Sequence, residues 1–125
     1  MATDVIRKGF VKVWTNTSPS TSFVAQDVAM DLSTYDAVLV HFKSSTSSDS
    51  FDVLAYGLIN GGDYQGLVVT NLAGSNAISM AVRYFDPYTD KVVFDNATVK
   101  NTTSTSAGTT TNTRMIPLAV YGIRF

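Results

Sequence analysis

The chain has no cysteine and no glutamate, one histidine and only three prolines among its 125 residues. Without cysteine, disulfide scaffolds, thiolate zinc sites and thiol nucleophiles are excluded. The lone histidine, His41, would leave a zinc ion to carboxylates and water. No Gly-x-Ser-x-Gly elbow accompanies it to support Ser-His-Asp chemistry, and the missing glutamate removes a usual partner in paired-carboxylate glycoside chemistry. Charged residues make up 15% of the chain and the net charge is −1, against about a quarter charged in ordinary soluble domains. No basic run is present, so neither nucleic acid nor an anionic membrane surface is expected as a partner. There is no phosphate-cradling loop and no dinucleotide fingerprint. No apolar run approaches the length of a membrane span, and the opening MATDVIRKGFVKVW lacks the apolar core of a signal peptide. Synthesis in a cytoplasm follows as the expectation, with no catalytic residues, no cofactor and no metal.

What the chain does contain is alternation. Val24, Val28, Met30 and Leu32 share one parity while Ala25, Asp27, Ala29 and Asp31 take the other, and Val38, Val40 and Phe42 share a parity beyond the Ser33-Thr34-Tyr35-Asp36 turn. Side chains in a strand point alternately to opposite faces, so period two marks half-buried strands. Residues 23–43 accordingly read as a hairpin, since hydroxyl and Asp side chains favour turns. Asp27 and Asp31 then face outward, where charge on an edge strand blocks unwanted pairing.

The remaining segments repeat the theme. Residues 1–9 read as a short arm and 10–125 as a single domain. FVKVW at 10–14 is a strand, followed by a loop over 16–22 in which Pro19 disfavours pairing. Residues 44–50 (SSTSSDS) form a polar tip. FDVLAYGLI at 51–59 and the segment 64–72 read as a pair across Asn60-Gly61-Gly62-Asp63, whose residues suit positive φ angles. Residues 73–76 turn again before a strand in which Ile78, Met80, Val82 and Tyr84 alternate with Ser79, Ala81 and Arg83. After a turn at 86–90, residues 91–94 form a short strand and 96–113 a long Thr-rich loop with a weak strand near Val99. MIPLAVYGIRF closes the chain as an apolar strand. About eight short strands with regularly spaced turns and no helical stripe predict an all-β fold, an antiparallel β-sandwich of jelly-roll type.

Two strands are more apolar than a two-layer sandwich needs. In 51–59 one parity carries Phe51, Val53, Ala55 and Ile59 and the other Leu54, Tyr56 and Leu58. In the last strand Leu118 and Val120 oppose Ala119, Tyr121, Ile123 and Phe125. A sandwich buries one face of each sheet, so the surplus needs a cover. A homo-oligomer interface formed by Leu54, Tyr56, Leu58, Tyr121, Ile123 and Phe125 is the expectation, since large apolar patches are rare on monomers. The plainer alternative is cover by the chain's own loops. His41 falls opposite Val38, Val40 and Phe42, a solvent-facing strand position. Trp14, Tyr35, Tyr56, Tyr64, Tyr84 and Tyr88 would suit sugar stacking if several faced outward together, although Trp14 sits where a core aromatic belongs.

The stretch WTNTSPSTSFVAQDVAMDLSTYDAV (residues 14–38) and the C-terminal RMIPLAVYGIR (114–124) together resemble small structural proteins of tailed bacteriophages, including capsid decoration and tail- or baseplate-associated β-domains. The resemblance covers roughly the first and last thirds. No collagen-like or coiled-coil stalk accompanies it. It implies a virion component, commonly a homotrimer, with phage capsid or tail proteins as partners. The alternative it leaves open is a receptor-binding tip or carbohydrate-binding module, reading host surface glycans through residues 44–50 and 96–113.

Overall fold

The computed structural model describes residues 9–71, 78–101 and 108–125. These form nine strands: β1 (Val11–Thr15), β2 (Gln26–Ala29), β3 (Ala37–Ser45), β4 (Asp52–Leu58), β5 (Tyr64–Asn71), β6 (Ile78–Pro87), β7 (Lys91–Asn101), β8 (Thr109–Thr110) and β9 (Arg114–Ile123). No helix occurs among the described residues. A front sheet runs β1-β9-β3-β4 and a back sheet β2-β7-β6-β5, with the two-residue β8 paired to β7. All pairings are antiparallel. The outer wrap is jelly-roll-like, because β1 and β2 lie in opposite sheets and pair with β9 and β7. The inner half differs from a full jelly roll, because β3–β4 and β5–β6 are hairpins within one sheet.

Alternation builds the core. Val38, Val40 and Phe42 of β3 and Val120 of β9 point inward from the front sheet, meeting Val68, Ala81, Phe85, Val92 and Phe94 from the back. Phe42, Phe85 and Phe94 pack ring against ring, with Phe23 and Trp14 closing one side of the cluster. Trp14 therefore packs against the core, as its strand position predicts. Pro117 is tolerated in central β9 because β1 ends at Thr15, opposite Ala119. Its carbonyl accepts from the Asn16 side chain at 2.8 Å. N and C=O of one residue point to the same side of a strand, so its missing N–H faces a gap in the ladder.

Two expected hairpins are corner crossings instead. β2 and β3 do not pair: β2 bonds β7 in the back sheet and β3 bonds β9 and β4 in the front. The turn itself is there, with Tyr35 N–H donating to the Leu32 carbonyl. Both the N–H and the hydroxyl of Ser33 donate to the Asp31 carboxylate and hold it below the usual carboxylate range. Leu32, with no exposed surface, is drawn between the sheets, while Met30 and Leu32 bond to Asp90 and Thr89 and Asp36 bonds to Ile123. Likewise β4 and β5 lie in different sheets. Asn60 (φ 60°) and Gly62 (φ 107°) adopt the left-handed angles the sequence predicts, yet they carry the chain across the corner. Local chemistry marks a turn, whereas burial of the flanking apolar residue decides which strand becomes the partner.

Other boundaries shift as well. The β3–β4 hairpin uses the polar tip as its connection, and β6–β7 turn at 88–90 as expected. β7 continues to Asn101 through residues read as loop, because Asp95 and Asn96 form a bulge between the Phe85–Phe94 and Arg83–Ala97 pairs. Asn96 accepts from Ala25 N–H and from the Asn112 side chain, and Asn112 accepts from Ala97 N–H. These bonds replace the ladder contacts that the bulge interrupts. The arm at 1–9, apart from Gly9, the turn at 73–76 and residues 102–107 of the Thr-rich loop lie outside the described residues.

In β6 the face turned inward is the one with Ser79, Ala81, Arg83 and Phe85; Ile78 and Tyr84 are exposed. Arg83 has no exposed surface. Its guanidinium donates to the carbonyls of Met115 (2.7 Å), Asp95 (2.6 Å) and Arg114 (3.1 Å) and lies 5.1 Å from the Phe23 ring centre. Burial pulls its pKa down to about 10, with Asp95 acting in the opposite direction, so it stays charged at neutral pH. Met115, buried at φ 47°, occupies a left-handed backbone conformation that non-glycine residues seldom take. Arg83 thus ties the bulge of β7 and the start of β9 to the back sheet.

Candidate functional site

The outer face of the front sheet gathers the surplus apolar residues. Register sets their positions: Leu39 of β3 lies between Tyr121 of β9 and Tyr56 of β4, Ala37 lies between Ile123 and Leu58, and His41 lies between Ala119 and Leu54. Residues that oppose one another across a ladder share a face. Leu54, Tyr56, Leu58, Tyr121 and Ile123 therefore converge, because β4 and β9 flank the same central strand. Leu54 is 62% exposed and Tyr56 47%, high values for large apolar side chains. Phe125 lies past the end of β9, 82% exposed. Its N–H donates to the Asp36 carboxylate at 2.7 Å, which places it at the β2–β3 corner and away from the middle of the patch.

Two members of the face, Phe10 and Leu39, are not among the residues the sequence singles out. Phe10, 61% exposed, lines a shallow groove of about 280 Å³ with Leu39, His41, Leu54 and Tyr121. Leu39 sits inside AVLVHF, where both parities are apolar, and that pattern was a usable signal. Phe10 carries none, being one aromatic at the start of a strand. Around the rim, Lys12 stands 5.8 Å from the centre of the Tyr121 ring. His41 Nε2 lies 3.1 Å from the Asp52 carboxylate. His41 thus faces outward as predicted, half-buried among apolar neighbours.

The back sheet also shows apolar residues outward, with Leu67, Val69 and Tyr84 exposed. A depression of about 340 Å³ over the bulge is lined by Tyr84, Asp27, Asp63, Asp86 and Asp95 among others. Tyr88 O–H donates to Asp86 at 2.7 Å, which raises the phenol pKa, and the charge of the same carboxylate adds to the shift. Asp27 faces Lys91 at 3.5 Å. Among the described residues no group of three or more His, Asp or Glu side chains is placed to hold a metal ion.

The aromatics considered for sugar stacking are dispersed. Trp14 and Tyr64 pack against the core, Tyr35 lies under the Arg124 guanidinium and Tyr56 is on the front face. Tyr84 and Tyr88 alone share the outer side of the back sheet. Compared with family models, curated proteins and solved structures, the chain matches none.

Proposed function

We propose that this chain is a non-enzymatic structural protein that works as a homo-oligomer, its subunits meeting through the outer face of the front sheet. The observation that carries the reading is the convergence of Leu39, Leu54, Tyr56, Leu58, Tyr121 and Ile123 on that one face. The occupant is a further copy of the chain. The face is nearly neutral, with Lys12, Lys43 and Asp52 at its rim, so copies meet without strong like-charge repulsion, and apolar cover is what such a patch lacks. The resemblance of residues 14–38 and 114–124 to phage structural proteins supplies the setting: a virion component, trimeric, attached to a capsid as decoration or to a tail. Glycan recognition by a receptor-binding tip is less well supported, because Phe10, Tyr56 and Tyr121 share the front face with the aliphatic Leu39, Leu54, Leu58 and Ile123, and Tyr84 and Tyr88 lie on the other sheet.

Leu39→Lys tests the reading. The substitution sits mid-face on a central strand, where the long lysine stem still covers its neighbours and the charge penalises any copy docking there. Sedimentation velocity should show the variant dissociating at concentrations at which the wild type stays associated, with its β-sheet circular dichroism kept. An unchanged mass would remove this face from the assembly. Truncating 119–125 would be a poor probe, because β9 joins β1 to β3 and Val120 is fully buried.

A further inference from the structure

The two sides of the sandwich end differently. On one side the edges are guarded: β1 has five residues, carries Lys12 and is broken by a register shift between Lys12 and Trp14. Beneath it β2 has four residues with Asp27 among them, and β8 has two. Short, charged and bulged edges are how sheets avoid pairing with other chains. On the other side β4 has seven residues and β5 eight. Neither contains proline or lysine, both pair without a register shift, and their one charge is Asp52 at the start of β4.

The hydrogen-bond phase of β4 is fixed at both ends. Ser44 N–H donates to the Phe51 carbonyl at 2.9 Å, and Ile59 N–H donates to Asp36 at 3.1 Å. Bonded pairs in an antiparallel ladder recur at every second residue. Val53, Ala55 and Gly57 therefore turn their N–H and C=O toward β3, while Leu54, Tyr56 and Leu58 turn theirs outward. The Leu58 carbonyl is taken by Gly61 N–H at 3.1 Å. Leu54 and Tyr56 have no partner for theirs among the described residues, since β4 pairs with β3 alone.

Resting on the reading that copies of this chain associate, we propose that β4 is a docking edge for β4 of a second copy. The two strands pair antiparallel across a two-fold axis, and β5 meets β5 below. Centred on Ala55, such a pair sets Leu54 against Tyr56 of the other copy and keeps the Asp52 carboxylates about 20 Å apart at 3.4 Å per residue. Seven or eight residues give a wall about 25 Å long. Two sheets about 10 Å apart with their side chains make it about 20 Å deep. The contact then covers roughly 1,000 Å² in total, the size at which specific interfaces begin. An edge pair is two-fold, so it adds even-numbered species: a dimer by itself, or a hexamer from two trimers.

Amide hydrogen exchange on the full chain across a dilution series tests this, together with Tyr56→Pro and Tyr56→Ala. Proline removes an N–H that has no partner within the subunit, whereas alanine removes the ring and keeps the N–H. The Leu54 and Tyr56 amides should exchange freely when dilute and at least ten-fold more slowly when concentrated. Tyr56→Pro should abolish the concentration-dependent slowing at the Leu54 amide, whereas Tyr56→Ala, which trims the front face but keeps the N–H, should retain it. If oligomers form while both amides keep their dilute exchange rate, edge pairing is overturned and the front-face reading stands. A wild type that is monomeric at every concentration overturns both.

Discussion

Replacing Arg83 by methionine should lower the stability of the fold by about 4 kcal/mol, the usual scale for removing one partner from a buried charged network. The side chain has no exposed surface and satisfies the carbonyls of Met115, Asp95 and Arg114. Methionine fills much of the volume but leaves three carbonyls without donors, and each unmet group costs about 1–3 kcal/mol. Relief of the desolvation that pulls the guanidinium pKa down to about 10 returns part of this. The left-handed Met115, now without its bond from Arg83, should relax and loosen the start of β9. Urea unfolding at one fixed protein concentration is the measurement, since association alone shifts the midpoint. A fall in melting temperature of about 15 °C is expected for a domain of this size. Arg83→Lys should recover little, because a single ammonium does not span three carbonyls on separate strands. A loss below about 1 kcal/mol for methionine, within the range of many surface substitutions, would mean that the network does not organise the fold.

The second large effect is expected at Gly66, on the inward face of β5. A Cβ built there would stand 2.6 Å from the Phe42 ring, and Phe42 is fully buried against Phe85 and Phe94. The ring has no space to retreat into, so Gly66→Ala should cost about 3 kcal/mol, at the upper end for overpacking. Phe42→Leu alone should also cost, by leaving part of the ring's volume empty. Together the two changes should cost clearly less than their sum, because the methyl occupies space the ring vacates. Simple additivity in a double-mutant cycle would show that the two positions do not compete for the same space.

Parity reasoning reached the two-layer β architecture and the residues of the front face, because both follow from which side chains alternate. It placed Leu54, Tyr56 and Leu58 on one strand face and Tyr121 and Ile123 on another. That these faces are the same surface depends on β3 lying between β4 and β9, a long-range fact. Pairing partners were illegible for the same reason. The Ser33-Thr34 and Asn60–Asp63 turns are real, yet Leu32 enters the sandwich and sends β3 to the opposite sheet. Asn96 and Thr98 read as loop because they open a long Thr-, Ser- and Asn-rich run with little apolar alternation, while the Asn96–Asn112 bonds that sustain β7 join residues 16 apart in sequence. Alternation over 78–84 marks a half-buried strand without saying which side is inward, and the small Ser79 and Ala81 that share the parity of Arg83 are the hint that its side is the buried one.

Mass in solution tests the central claim most directly. Light scattering on the purified chain across a thousand-fold dilution should show an assembly of several 13.5 kDa subunits. A trimer or hexamer is the expected species, dissociating only at the dilute end. A particle of one subunit at every concentration would contradict it, leaving the apolar front face without the second copy assigned to it.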